Sequence, residues 1–500
     1  MDRRVAQGPA ERSGARQAAA DDPAVARNRA PSFDRVVSVA IGIGLVLGAL
    51  FVYTVTSPTR YYDHFEWQAE AFLEGKAAIR YPVPPTADSP GNAFFNDVRI
   101  VPSDDGVPRG DIPFPPLPAV LLLPFVAAWG HATDGRQIFA IVGAIDVGIA
   151  WWMLGRLPIR RWVRVAATVF LAFGTVFWYA AQLGTPWYQA HVLAVGLALL
   201  SVGIAVGADR DAAIDEDDLP EPEDDDASKR TGGWLAAVRG GLDRRQLLAG
   251  FLFGLACTAR LTVIFGAPFF VLVGGGGTWF RRGLSAGVGA AIPVGALLLY
   301  NFVSTGQLFH PGYQYQYELE AGFYTQLHYN LSWAIEDPRY IPQNLWIMLF
   351  STPAIAPDVY PAGLGGGQAL CVDPGAVRGL FDADCPIALP KDVGMSVILT
   401  SPAYLFALTA LRRYGRSRLV TGAALAVLVI AFINVMHFSQ GWVQFGYRFS
   451  NDFVPWALLL VAIGLEQVRS RLGIAVAVGL VTLSVAINLW GVAWGNILGW

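Results

Sequence analysis

Apolar residues in this chain come in blocks of about 20, enough to cross a bilayer core as helices, separated by polar stretches of very unequal length. The blocks lie near 36–57, 136–155, 163–182, 187–207, 246–259, 261–275, 284–303, 394–411, 418–437, 451–467 and 471–494. The pattern predicts an all-α polytopic membrane protein with about eleven transmembrane helices. With a cytoplasmic N-terminus, "GRLPIRRWVR" (155–164), "FRRG" (280–283), "RRYGRSR" (412–418) and "EQVRSR" (466–471) all fall inside, as the positive-inside rule requires. A further block, "PFPPLPAVLLLPFVAAWG" (113–130), invites a twelfth crossing. Counting it would put the arginines of 155–164 outside, so this proline-rich stretch is expected to lie in, or dip into, the external interface.

The segments between the blocks differ in kind. Residues 1–35 hold seven Arg among Ala, Gly, Pro and Asp with almost nothing to bury, and read as a disordered cytoplasmic tail ahead of a transmembrane domain over 36–500. No small-residue cleavage site follows the first block, which is therefore expected to stay as a span. A cytoplasmic insert, 209–245, opens with the acidic run "DRDAAIDEDDLPEPEDDD" and reads as a solvated linker. Two long external loops, 58–135 and 304–393, are where function is expected. The second contains Cys371 and Cys385, a pair that can oxidise outside the membrane, whereas Cys257 falls within a span as a small packed residue.

Composition removes several function classes. At 54% hydrophobic, 15% charged and a net charge of −3, nothing points to nucleic acid. There is no HExxH pair, and "GGGG" at 274–277 lacks the Lys-Ser/Thr of a phosphate loop. No cofactor and no metal ligand set is expected, with assistance by a divalent cation left open.

The polar residues beside the spans carry the chemistry. In "TRYYDHFEWQAEAFLEGK" (59–76), Asp63, Glu66, Glu70 and Glu74 recur at helical spacing while Phe65, Ala69, Phe72 and Leu73 share another side, predicting a surface helix with its apolar side toward lipid. Asp63 reads either as a helix cap, with Glu66 completing a capping box, or as a catalytic carboxylate; Glu66, Glu70 and Glu74 read as mostly solvated, Glu66 being the reserve base. Spans 246–259 and 261–275 are short, so their tip "CTARLT" reads either as recessed, placing Arg260 in a cavity, or as an interfacial turn from which Arg260 snorkels. Asp146, inside the second span, has no evident partner. Late in the chain, "HFSQGWVQFGYRFSNDF" (437–453) gathers His437, Trp442, Gln444, Tyr447 and Arg448, a set suited to an anionic head group, with Asn451 or Asp452 as caps.

These stretches, together with "PFPPLPAVLLLP", resemble the GT-C superfamily of integral membrane glycosyltransferases, and most nearly the bacterial relatives of protein O-mannosyltransferases and of the aminoarabinose lipid A transferase. The likeness spans 36–494 in layout and short stretches in sequence. It implies an inverting glycosyltransferase of the plasma (inner) membrane that moves a sugar from a polyprenyl-phosphate carrier to an acceptor hydroxyl, on a lipid, glycan or protein, at the external face. It also implies a base just after the first span, here Asp63, with His64, where relatives often have a second acid, as a helper. Leaving phosphate needs cations at membrane depth, and Arg260, Arg448 and then Arg60 are the best placed. Sugar and acceptor would be held by flat rings and polar groups, with Tyr313 and Tyr315 joining Trp442, Gln444, Tyr447 and His437. The alternative is a polyprenyl-linked lipid transporter or flippase, although no inverted repeat is present and the polar clusters lie outside mid-depth. A non-catalytic scaffold is the third reading.

Overall fold

The structure is a computed structural model and describes residues 32–59, 62–87, 89–217, 241–323, 330–360, 367–441 and 443–500. Most of the N-terminal tail and most of the acidic insert, as well as Arg60 and Trp442, lie outside the described residues. The first helix, α1 (Ser32–Thr56), leads into a segment built from α2 (His64–Leu73), three short strands and α3 (Leu117–Trp129). The strands β1 (Ile79–Arg80), β2 (Arg99–Val101) and β3 (Arg109–Asp111) pair antiparallel in the order β1-β3-β2, with Gly110 facing both Ile79 and Ile100. Then follow α4 (Gly135–Leu154), α5 (Arg161–Phe173), α6 (Phe177–Leu183), α7 (Pro186–Asp217), α8 (Arg244–Cys257), a 3-10 turn at Leu261–Gly266, α9 (Pro268–Leu272) and α10 (Trp279–Thr305).

The second long segment holds α11 (Gly312–Phe323), α12 (Ile341–Phe350) and a two-stranded ribbon of β4 (Ala354–Ile355) and β5 (Ala388–Leu389). Cys371 and Cys385 are joined by a disulfide whose Cα atoms stand 4.4 Å apart. The chain ends with α13 (Val397–Thr400), α14 (Phe406–Tyr414), α15 (Arg418–Met436), α16 (Val454–Glu466) and α17 (Arg471–Leu498).

Among the described residues six helices, α1, α4, α7, α10, α15 and α17, are long and apolar enough to cross a membrane, and α5 with α6, bent by 50°, makes a seventh if taken as one span. That is fewer than the eleven blocks. The 13 residues of α16 rise only about 20 Å, short of a bilayer core of about 30 Å, and eleven of them are buried inside the bundle. The blocks at 246–259 and 261–275 become α8, a 3-10 turn and α9, and the block at 394–411 is broken by Pro402 between α13 and α14. Apolar runs of this kind serve the bundle interior as readily as the lipid.

Packing between helices is close where glycine allows it. A β-carbon at Gly250 would collide with the Ala286 carbonyl oxygen, and one at Gly289 with that of Leu247, so α8 and α10 meet backbone to backbone. Cys257 is buried in the same helix, as expected. Asp146 of α4 is buried, and a β-carbon at Gly196 of α7 would collide with its Oδ1.

The helix after α1 departs from the surface-helix expectation. His64 through Ala69 and Ala71 are all buried, so α2 has no water-facing side along its first half. It packs against α3 and the small sheet, and Gln68 Nε2 donates to the Tyr300 hydroxyl at the end of α10 (3.2 Å). An amphipathic repeat reports that one side is apolar but not what covers the other.

Candidate functional site

Two neighbouring cavities divide the residues singled out in the sequence. The first, about 500 Å³, contains Arg260 and Arg448. Arg260 sits where α8 ends and the 3-10 turn begins, in extended backbone, and its guanidinium points at Asp452. Nε donates to Asp452 Oδ1 (3.1 Å) and Nη2 to Oδ2 (3.4 Å). Thr262 Oγ1 donates to the same Oδ2 (2.7 Å), and His191 Nδ1 stands 3.0 Å from Oδ1. Asp452 is therefore the buried counter-ion of Arg260 rather than a helix cap.

Arg448 is held differently. Its backbone N–H donates to Gln444 Oε1 (3.2 Å), Gln444 Nε2 donates to the Gln440 carbonyl (2.6 Å), and the Tyr447 hydroxyl donates to Gln440 Oε1 (2.7 Å). Gly446 takes φ +69° in this turn, where a β-carbon would also strike Val176. Among the described residues no carboxylate pairs with Arg448, and its buried Nε has no hydrogen-bond partner. The two guanidinium carbons lie 5.1 and 5.3 Å from the Phe449 ring centre, so one ring carries both cations at the cavity wall.

Tyr313 and His437 line this cavity, together with Glu336, whose carboxylate is 3.2 Å from His437 Nδ1. Gln444 and Tyr447 do not line it; they are buried and brace the turn that presents Arg448. Tyr315, half-buried, lines neither cavity.

The second cavity, about 380 Å³, contains Asp63 and Glu66 beside His131, Asp134 and Arg136. Asp63 occupies the N-cap position of α2 but its side chain makes no capping hydrogen bond, and among the described residues its buried Oδ1 has no partner. The capping box is not formed. Glu66 is buried instead of solvated, with Oε1 where a β-carbon of Gly135 would sit and Oε2 unpartnered. Burial pushes its carboxyl up to about 8, with the nearby Asp63 charge adding to the effect. Burial also raises Asp63, against the opposing pull of His64 and His131.

His64 lines neither cavity. Its Nε2 lies 2.7 Å from Asp97 Oδ1 and its ring stacks 3.7 Å above Phe95, which ties the start of α2 to the small sheet. At the cavity mouth His131 Nε2 pairs with Glu70 Oε2 at 3.1 Å.

An aromatic partition separates the cavities. Tyr62 lines the carboxylate cavity, Trp187 lines the arginine cavity, and their ring centres are 5.2 Å apart. The turn from Gly184 to Trp187 leads from one to the other, and the first turns of α7 send Tyr188 toward Arg448 and His191 toward Asp452. His191, Asp452, Phe449 and the partition were not singled out for these roles in the sequence. An ionisable residue inside an apolar block was the available signal for His191.

Among the described residues no group of three or more His, Cys, Asp or Glu side chains is placed to hold a metal ion. No family model matches the chain, and no curated protein matches it. Among solved structures it is similar to the oligosaccharyltransferase of Archaeoglobus fulgidus in the apo form, with a TM-score of 0.45 and 12% identity. The archaeal oligosaccharyltransferase AglB from the same organism, in complex with an inhibitory peptide and a dolichol-phosphate, matches with the same TM-score and identity. Each match covers 93% of this chain and 56% of the other, so the chain spans little more than half the length of that protein.

Proposed function

We propose that this chain is an inverting glycosyltransferase that moves a sugar from a polyprenyl-phosphate carrier to an acceptor hydroxyl. The observation that carries the reading is the adjacency, across one aromatic partition, of a two-arginine cavity and a cavity in which Asp63 makes no capping bond and leaves Oδ1 without a partner among the described residues. In this reading Asp63 accepts the proton of the acceptor hydroxyl as its oxygen bonds the anomeric carbon. The bond from that carbon to the carrier phosphate breaks at the same time. The electron pair stays on the phosphate oxygen, where Arg448 and Arg260 meet the growing charge. The products are a glycoside and polyprenyl phosphate, with the proton on Asp63.

Tyr313, His437 and Glu336 lie on the sugar side of the arginines in this reading, and Arg60 and Trp442 keep the roles given to them by resemblance. The chain then crosses the membrane about eleven times with its N-terminus in the cytoplasm, the short and broken helices included.

The test is release of free polyprenyl phosphate from a polyprenyl-phosphate sugar by the purified protein. A transferase releases it and a flippase does not. Thermal stabilisation by polyprenyl phosphate that disappears in Arg448→Ala supports the phosphate assignment; equal stabilisation of both proteins would sink it.

A further inference from the structure

The disulfide-closed segment after α12 presents an apolar surface that neither cavity uses. In its ribbon the pair Ala354 and Leu389 turns inward, and Leu389 and Leu370 close over Trp494 of α17. In the next pair Ile355 is exposed opposite a half-buried Ala388, and Ile387, just before Ala388, is exposed as well. Val372 is 72% exposed and Val377 85%, and Leu380 and Phe381 are exposed with them. A surface this apolar on one short segment marks an interaction site.

Its position says what covers it. The segment is docked on the end of α17 opposite Arg471, and the Phe381 ring lies 6.4 Å from that of Trp494. In the last turns of the same helix Leu489 and Ile497 are exposed, at the end of a stripe that includes Val476, Val478 and Leu483. That stripe belongs to a helix long and apolar enough to cross the membrane and only 22% buried across its apolar window, so it faces lipid. The ribbon is thus docked at the end of a helix whose exposed stripe faces lipid. The segment also carries Asp373, Asp382 and Asp384, so attraction to anionic head groups does not drive the contact.

We propose that the Cys371–Cys385 segment is a membrane-interface element that inserts Val377, Leu380 and Phe381 into the bilayer leaflet at the distal end of α17. The bridge fixes the segment so that these side chains stay presented together, and Arg378 is held back by Asp358 and by the carbonyls of Pro357 and Pro386. The inference does not depend on the transferase reading.

The experiment places benzoylphenylalanine at position 377, and separately at 381, in the full chain reconstituted in phosphatidylcholine nanodiscs. After irradiation, mass spectrometry reads the adducts. The expected result is several-fold more phospholipid adduct at both positions than at position 107, an exposed site in the turn between β2 and β3. Replacing both cysteines (Cys371→Ser with Cys385→Ser) is expected to lower the yield at 377. Lipid adduct no greater than at 107, or adducts chiefly to a second copy of the chain, would overturn the proposal. An unchanged yield without the bridge would overturn the part assigned to the disulfide.

Discussion

The two cavities treat charge in opposite ways. In the arginine cavity Arg260 is bound to a fully buried Asp452, which also receives Thr262 and has His191 beside it, so one cation is balanced before any ligand arrives. Among the described residues Arg448 is left without a carboxylate partner, facing the Phe449 ring. In the carboxylate cavity Asp63 and Glu66 each have a buried oxygen that nothing among the described residues satisfies. A region whose charges are paired is built for stability and position. One whose charges are unpaired holds its groups in a state that costs stability and that a substrate can use.

The largest expected effect falls on the paired side. Arg260→Ala strands Asp452 in the bundle, and removing one partner of a buried pair costs roughly 3–5 kcal/mol. Because the Arg260 side chain is 24% exposed, the lower end is expected. Arg448→Ala loses contacts with rings rather than a counter-ion, worth about 1 kcal/mol or less, yet it should weaken binding of polyprenyl phosphate more than any other single change. Arg448→Lys should recover little, since a point charge cannot grip two phosphate oxygens at once. Thermal unfolding with and without the lipid reads both quantities, and a greater loss of stability in Arg448→Ala than in Arg260→Ala would reverse the comparison.

On the unpaired side, Asp63→Asn nearly keeps size and removes the proposed base. Asn is as good a cap as Asp, and here the side chain makes no capping bond to lose. The variant should fold and bind carrier, and transfer should fall by on the order of 10²-fold or more. Transfer at the parental rate would move the base to Glu66.

What the sequence could and could not tell follows from the range of its signals. Uniformly apolar blocks, such as those that became α1, α15 and α17, are read from local composition alone. The block that became α16 is equally apolar but buried in the bundle, and composition does not separate a lipid surface from a protein interior. Arg260 and Arg448 were legible as cations at the ends of apolar runs. The partner of Arg260 was not, because Asp452 is 192 residues away and no local pattern links them. Asp63 was legible as a choice between cap and base, and the structure shows that its side chain makes no capping bond. Gln444 and Tyr447 were grouped correctly with Arg448 along the chain, but proximity in sequence did not show that they support its backbone instead of facing the cavity.

A third prediction uses the raised Glu66 carboxyl. A carboxyl that binds its proton more tightly folded than unfolded favours the folded state when protonated, so stability is full below about 4.5. It falls as pH rises from there and levels off above about 8. Glu66→Gln, neutral at every pH, should flatten this decline and raise the thermal midpoint at pH 8 relative to the parent. An undiminished decline in the variant would mean that Glu66 is already ionised in the fold and that the carboxylate cavity is better satisfied than the comparison holds.

The smallest effect is expected at the mouth of the carboxylate cavity, where Glu70 and His131 form the pair that most resembles the arginine side. The hydrogen bond from Glu70 raises His131 above its ordinary value, and His131 in turn lowers Glu70. The histidine therefore contributes stability that is fully present below its unfolded value near 6.5 and is lost as pH rises through the higher folded value. Both side chains are about one-third exposed, so water screens the pair. Glu70→Gln should bring the His131 titration back toward its ordinary position while leaving transfer within a few-fold of the parent, because neither unpaired carboxylate is touched. NMR of histidine ring protons reads the first quantity and polyprenyl phosphate release the second. A loss of transfer comparable to that of Asp63→Asn, with the His131 titration unmoved, would show that Glu70 belongs to the chemistry and that the boundary of the unpaired region has been drawn too tightly around Asp63 and Glu66.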